Sequence, residues 1–342
     1  MISKKEISGR LSHFLATLVL VWSAILFYRY NPYYHSLLVE QTQHTLLVLA
    51  SVYTLYSFYS ACLRGSPTHG HLLYSLLKRI LKEGYHYTKK FVHDSKHPLP
   101  TLSKAEKTSL LFMLVKLFFL PLMLNFFYAN YHDVMLNLKA LLGADQPFTL
   151  LGFSFLFYPF FLALFFVVDT LYFAFGYSIE SGFLKNTVRS VEPTVFGWLV
   201  ALICYPPFSE LISRYVPWHT NNFVSFGSTG LTAFMRLLIL VFLGIYVSAT
   251  IALGAKCSNL TNRGIVSRGP YAIIRHPAYI SKNISWWIVL LPVMSVTVFF
   301  GMLFWSAIYF FRAITEERHL IADPDYQAYC KKVKYRFIPG VY

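Results

Sequence analysis

Apolar residues in this chain come in long unbroken runs, separated by short polar and often basic stretches, and not in the alternating or 3.6-residue patterns of a soluble sheet or helix. A helix needs about 20 apolar residues to cross a bilayer. Runs of that length predict spans from Leu11 to Phe27, His44 to Cys62, Ser109 to Tyr128, Thr149 to Phe175, Val195 to Ile212 and Leu231 to Leu253. The last block, Ala278 to Ile314, is too long for one span and carries Leu291-Pro292-Val293-Met294-Ser295 near its middle. Proline lacks the helical N–H and clashes with the preceding turn, so a tight reversal is expected there and the block is read as two helices. The expected fold is all-α: a polytopic transmembrane protein of about eight spans that ends in a helix hairpin and an interfacial tail. The organisation follows as a two-span hairpin over residues 1–63, a basic loop over 64–108, central spans over 109–230 and a chemistry-bearing region over 231–342.

Composition supports the membrane reading and charge orients it. The 342 residues are 56% hydrophobic, 18% aromatic and 13% charged, against roughly a quarter charged in a soluble domain. A formal charge of +15 raises nucleic acid as a partner, but the basic residues lie between the apolar runs, as cytoplasmic loops require. With the N-terminus inside, 25 of the 30 Lys and Arg fall on inner segments, six of them in a tail counted from Arg312. An integral, multi-pass protein with both termini cytosolic is therefore expected, and no nucleic-acid partner. The first run lacks a small-residue cleavage site and reads as a retained span. Cys62, Cys204, Cys257 and Cys330 lie far apart with no CxxC pair, which suggests reduced thiols and no zinc site. His69, His71, His93 and His97 lack a carboxylate at a matching offset, so no metal is assigned; their basic segment is expected to lie on anionic lipid. Within spans, Lys116 and Asp169 are placed to pair at one depth, as a structural ion pair or a headgroup site.

The chemistry is concentrated near the end of the chain. Ser258 to Pro270 is polar and rich in turns, and Arg275-His276-Pro277-Ala278-Tyr279 then enters the seventh helix with proline in its first turn. Free backbone donors, Arg275, His276 and Tyr279 thus share one interface. Glu316-Glu317-Arg318 stands where the eighth helix leaves the membrane. Because the two helices form a hairpin, both segments meet on one side of the bilayer.

Gly269-Pro270-Tyr271, Arg275-His276-Pro277-Ala278-Tyr279 and Glu316-Glu317, followed by Tyr326, Tyr329, Val333 and Pro339, resemble the isoprenylcysteine carboxyl methyltransferases and related membrane methyltransferases over residues 254–342. The resemblance implies a pocket for S-adenosylmethionine closed by the tail, with Gly269, Pro270, Tyr271, His276, Tyr279, Glu316 and Glu317 near the cofactor. It further implies that Arg275 and Glu317 serve the reaction and that a lipid-tailed acceptor, a carboxylate or an amine, arrives from the bilayer. Lys282 and Asn283 are unusual for these families and are assigned to the acceptor side with Arg275. The Gly-x-Gly pattern of phospholipid N-methyltransferases is absent. The ending Val333-Lys334-Tyr335-Arg336 and Pro339-Gly340-Val341-Tyr342 is similar to membrane sterol reductases, so NADPH is the alternative cofactor and a non-enzymatic membrane protein the third reading. Oligomeric state is not legible in the sequence.

Overall fold

The structure, a computed structural model, describes residues 4–63, 76, 79, 102–216 and 222–341. Most of the expected basic loop, including His69, His71, His93 and His97, lies outside the described residues. In chain order the helices are α1 (Lys4–Tyr30), α2 (Pro32–Leu37), α3 (Glu40–Leu63), α4 (Lys104–Leu142), α5 (Leu150–Ser178), α6 (Val195–Leu202), α7 (Phe208–Ser213), α8 (Thr229–Leu253), α9 (Pro277–Leu290), α10 (Val296–Leu320) and α11 (Pro324–Lys332). Two short strands, β1 (Ser190–Val191) and β2 (Thr261–Asn262), pair antiparallel with Ser190 opposite Asn262.

The all-α membrane architecture is as expected; the number of spans is not confirmed. Among the described residues, five helical segments are long and apolar enough to cross a bilayer: Arg10–Tyr30, Lys104–Leu142, Leu150–Ser178, Thr229–Lys256 and Val296–Leu320. The expected fifth span is broken into α6 and α7 because Pro206 and Pro207 interrupt the run, each removing a backbone donor. The final block does reverse where predicted: a 3-10 turn over Leu291–Val293 ends α9, and Ser295 caps α10 by accepting from the Val298 N–H at 3.2 Å. With 14 residues, α9 is about 21 Å long, short of a hydrocarbon core of about 30 Å.

The chain divides into two compact units, Met1–Asn125 and Phe126–Tyr342. In the first, Tyr28 donates its hydroxyl to the Leu117 carbonyl at 2.7 Å. Asn125 accepts from the Val39 N–H at 2.8 Å and donates to the Leu37 carbonyl at 3.0 Å, which satisfies the backbone where α2 gives way to α3. Lys116 lies over the Phe112 ring at 4.8 Å.

In the second unit, α5, α8 and α9 bury Tyr158, Leu162, Ile239, Leu243, Val247 and Val289 against one another. Helix α5 contains a π turn at Phe153–Phe157 in which the Tyr158 N–H bonds to the Phe153 carbonyl. That offset assigns the next carbonyl, Ser154, to residue 159, which is proline and has no N–H. The buried Arg236 supplies the missing donor: Nη1 reaches the Ser154 carbonyl at 2.6 Å, and Nη2 reaches the Phe223 carbonyl at 3.0 Å. The rings of Phe155 and Tyr158 lie 5.4 and 5.1 Å from the guanidinium, and among the described residues this cation has no carboxylate within ion-pair distance. Deeper in the unit, Asp169 accepts from Tyr246 at 2.6 Å and Thr250 at 2.7 Å and faces Lys282 electrostatically; these are its partners, where the sequence had offered Lys116.

Replacing Arg236 with Met leaves the Ser154 and Phe223 carbonyls without their donor. The expected cost is on the order of 2–4 kcal/mol, seen as a melting temperature several degrees lower in detergent. An unchanged melting curve would show that the π turn does not depend on this side chain.

Candidate functional site

The base of the α9–α10 hairpin is assembled from three stretches of chain. Pro277 starts α9, so the N–H groups of Arg275 and His276 just before it have no helical acceptor. The tail provides one for each: Arg275 N–H donates to the Tyr335 carbonyl and His276 N–H to the Arg336 carbonyl, both at 3.0 Å. Side chains tie the same strands to α10. Glu317 receives Arg336 through Nε at 2.9 Å and Nη2 at 2.8 Å, lies 2.9 Å from Arg275 Nε, and meets His276 Nε2 at 3.1 Å. With Oε2 facing two nitrogens of Arg336 and Oε1 facing Arg275 and His276, both oxygens of the carboxylate are held. Upstream, Tyr329 of α11 donates to the Tyr271 carbonyl at 2.7 Å and packs with Tyr326, Val333 and Tyr271. The tail is thereby folded over the hairpin base, as expected.

Glu316, the neighbour of Glu317 in sequence, points elsewhere. Its side chain is 45% exposed against 12% for Glu317, and it accepts from the Tyr279 hydroxyl at 2.8 Å. Tyr279 stacks on His276 with ring centroids 5.4 Å apart. Both Glu316 and Tyr279 line a cleft, partly open to solvent, whose other walls are Glu192, Gly197 and Ala201, Ser258 to Thr261, and Arg312, Thr315, His319 and Leu320.

Arg312 forms the cleft's inner end. It is buried, donates to Asn259 Oδ1 at 3.0 Å, and lies 5.3 Å from the rings of Tyr279 and Tyr309 and 6.0 Å from that of Tyr205. Among the described residues it has no carboxylate partner within ion-pair distance. Across the cleft, Glu192 is buried, accepts from Thr194 and forms an ion pair with Arg318 at 3.0 Å. A Cβ on Gly197 would overlap the Glu192 side chain, so glycine leaves that carboxylate its place. His319 Nε2 lies 2.8 Å from Ser190 Oγ.

Residues 231–323 match the phospholipid methyltransferase family. No curated protein and no solved structure matches the chain. The matched segment contains all but the first two residues of α8, together with β2, α9 and α10, and with them Tyr279, Arg312 and Glu316. Glu192, Gly197 and Ala201 precede it, and Tyr335 and Arg336 follow it. One wall of the cleft and the strap that closes the hairpin base thus come from outside the segment.

Of the residues singled out in the sequence, Tyr279 and Glu316 line the cleft. Arg275, His276 and Glu317 come together beside it, in the clamp on the tail. Gly269, Pro270 and Tyr271 form a 3-10 turn under α11. Lys282 sits in a box of Phe166, Tyr246 and Trp286, with its ammonium 5.9, 4.8 and 5.4 Å from the rings, and Asn283 accepts from Ser306 at 3.1 Å. Arg312 was counted as a topological anchor of the tail. Its spacing was the available signal, because residues four apart on a helix share a face and Arg312 lies four before Glu316. Nothing local in the sequence points to Glu192.

Two expectations follow from the clamp and the tail. Glu317→Gln leaves the guanidiniums of Arg275 and Arg336 without their carboxylate, at a cost on the order of 3 kcal/mol. Trypsin should then cut at Lys334 or Arg336 at least as fast as at Lys331, and unchanged protection of those sites would refute the clamp. Asp323, just beyond α10, is 11% exposed; burial raises its carboxyl, but the bonds from Asn262 Nδ2 at 2.7 Å and Arg189 Nη1 at 2.9 Å outweigh burial and hold it below its ordinary value. A depressed carboxyl stabilises fully above the unfolded value near 3.8 and fades as pH falls below it. Melting temperature between pH 5 and pH 3 should therefore drop less in Asp323→Asn than in the wild type.

Proposed function

We propose that this protein is a membrane-embedded methyltransferase that takes its methyl group from S-adenosylmethionine and transfers it to a lipid-tailed acceptor. The observation that carries the reading is the cleft itself. Within a segment matching a methyltransferase family, it brings together an accessible carboxylate, an aromatic face and a buried guanidinium that has no carboxylate partner among the described residues. Those donors suit S-adenosylmethionine. Glu316 and Glu192 are acceptors for an ammonium or for ribose hydroxyls, Tyr279 offers a ring face to a sulfonium, and Ser258, Asn259 and Thr261 add neutral polar groups. When bound, the cofactor supplies an electrophilic methyl group.

The residues of the chain then orient the partners and exclude water. Glu316 is near the open side and Arg312 is one helical turn deeper along α10. The water-soluble cofactor therefore enters against Glu316, and the acceptor comes from the bilayer with an anionic oxygen directed at Arg312, whose planar donors match a carboxylate. This assignment moves the roles expected of Arg275 and Glu317 to Arg312 and Glu316. Arg275, His276 and Glu317 instead hold the tail in place as the cleft's support, and Lys282 and Asn283 serve the acceptor side from within the membrane. An amine acceptor is the second reading, favoured by His319, a cleft-lining imidazole able to take the proton released on N-methylation. The tail bases Lys331, Lys332, Lys334 and Arg336, which the alternative reading offers to the 2′-phosphate of NADPH, do not line the cleft. The distribution of basic residues supports a multi-pass protein with both termini on the cytosolic side.

Calorimetric titration of the detergent-purified protein tests the reading. S-adenosylmethionine should bind at micromolar concentration, Glu316→Gln should weaken it by about tenfold, and Arg312→Gln should leave it nearly unchanged while lowering methyl incorporation into membrane lipid by about 100-fold. A base-labile labelled product identifies an ester and a base-stable one an N-methyl group. Binding of NADPH without S-adenosylmethionine would sink the proposal.

A further inference from the structure

Four basic side chains that do not line the cleft gather at the end of α8. Lys256 closes the 3-10 turn that follows the helix. Lys185 and Arg189 lie on the segment leading into β1, and Arg268 directly precedes the Gly269 turn. Lys256 is repelled by Arg189, Arg268 and Lys185 and attracted by Asp325. Arg189 Nη1 is occupied by Asp323 at 2.9 Å and Asp325 at 2.6 Å. Among the described residues the Lys256 side chain has no hydrogen bond and no ion pair.

Gly264 shows how closely the cations approach. Its φ is +90°, and the point where a Cβ would stand lies 3.1 Å from Lys256 Nζ and 3.2 Å from Arg189 Nη2. Two cationic groups thus close over the same bare stretch of backbone, an arrangement in which like charges repel and to which an anion is attracted. The four bases outnumber Asp323 and Asp325 by two charges, and Lys256 is the last residue of a segment long enough to span the bilayer. We propose that this cluster is a binding site for a phosphate monoester, carried by a lipid headgroup or by a soluble molecule. At neutral pH a monoester carries −1.5 to −2, which matches the local surplus where a phosphodiester or carboxylate would not. None of the four bases lines the cleft, so the site stands independently of the proposed methyl transfer.

Full-length protein in detergent is titrated with dioctanoyl phosphatidic acid, dioctanoyl phosphatidylcholine and inorganic phosphate. Phosphatidic acid should bind and phosphatidylcholine should not. Lys256→Met should weaken phosphatidic acid about fivefold and Lys185→Met/Lys256→Met about thirtyfold, at roughly 1 kcal/mol per basic residue. Lys331→Met/Lys332→Met, the same charge change in the exposed tail, should leave binding unaltered. Without ligand, Lys256→Met should melt no lower than the wild type, since it removes a repelled cation, and it should lose the rise in melting temperature that phosphatidic acid gives the wild type. Displacement by millimolar inorganic phosphate assigns the site to a soluble ester, and binding of the lipid alone assigns it to a headgroup. Equal binding of phosphatidylcholine, or equal loss in the tail variant, overturns the proposal.

Discussion

The Glu317 carboxylate binds Arg336, Arg275 and His276 at once, and the base of the α9–α10 hairpin is organised around it. Helix α9 begins with proline, so the chain just before it carries backbone donors that its own helix cannot use. The tail supplies acceptors for them through the Tyr335 and Arg336 carbonyls. One carboxylate on α10 then fixes both the strand that needs acceptors and the strand that provides them. Because Glu317 is committed inward, Glu316 is turned to the other side of the helix, beside Tyr279 and toward the cleft. Two adjacent glutamates thereby acquire different surroundings, one clamped on the tail and one facing the cleft.

The same economy of charge governs the membrane-embedded part. Four ionisable groups there have specific polar or aromatic environments: Arg236 on carbonyls released by a π turn, Asp169 on Tyr246 and Thr250, Lys282 in a ring box, and Arg312 between Asn259 and three tyrosines. Arg236 is saturated by the protein's own backbone, whereas Arg312 opens on a cleft. That difference, and not charge alone, separates a cation saturated by the fold from one left facing a cleft.

The segment 180–207 contributes what a span count hides. Its strand pairs with the loop after α8, its glutamate reaches the cleft, and α6 presents Gly197 and Ala201 as a wall. The cleft is therefore a property of the whole second unit, although the family match covers only 231–323.

The sequence by itself determined the all-α membrane architecture, the reversal at Leu291 to Ser295 and the meeting of the Arg275 and Glu316 segments at one hairpin base. These follow from run length, proline and connectivity, which are local or one-dimensional. Tertiary structure alone decided that Glu316 and Glu317 diverge, that Arg312 belongs to the cleft instead of the tail and that Glu192 comes to face it. Each of these depends on which side of a helix meets which neighbour. A burial pattern uniform around a lipid-facing helix does not encode that choice, because outside and inside are both apolar.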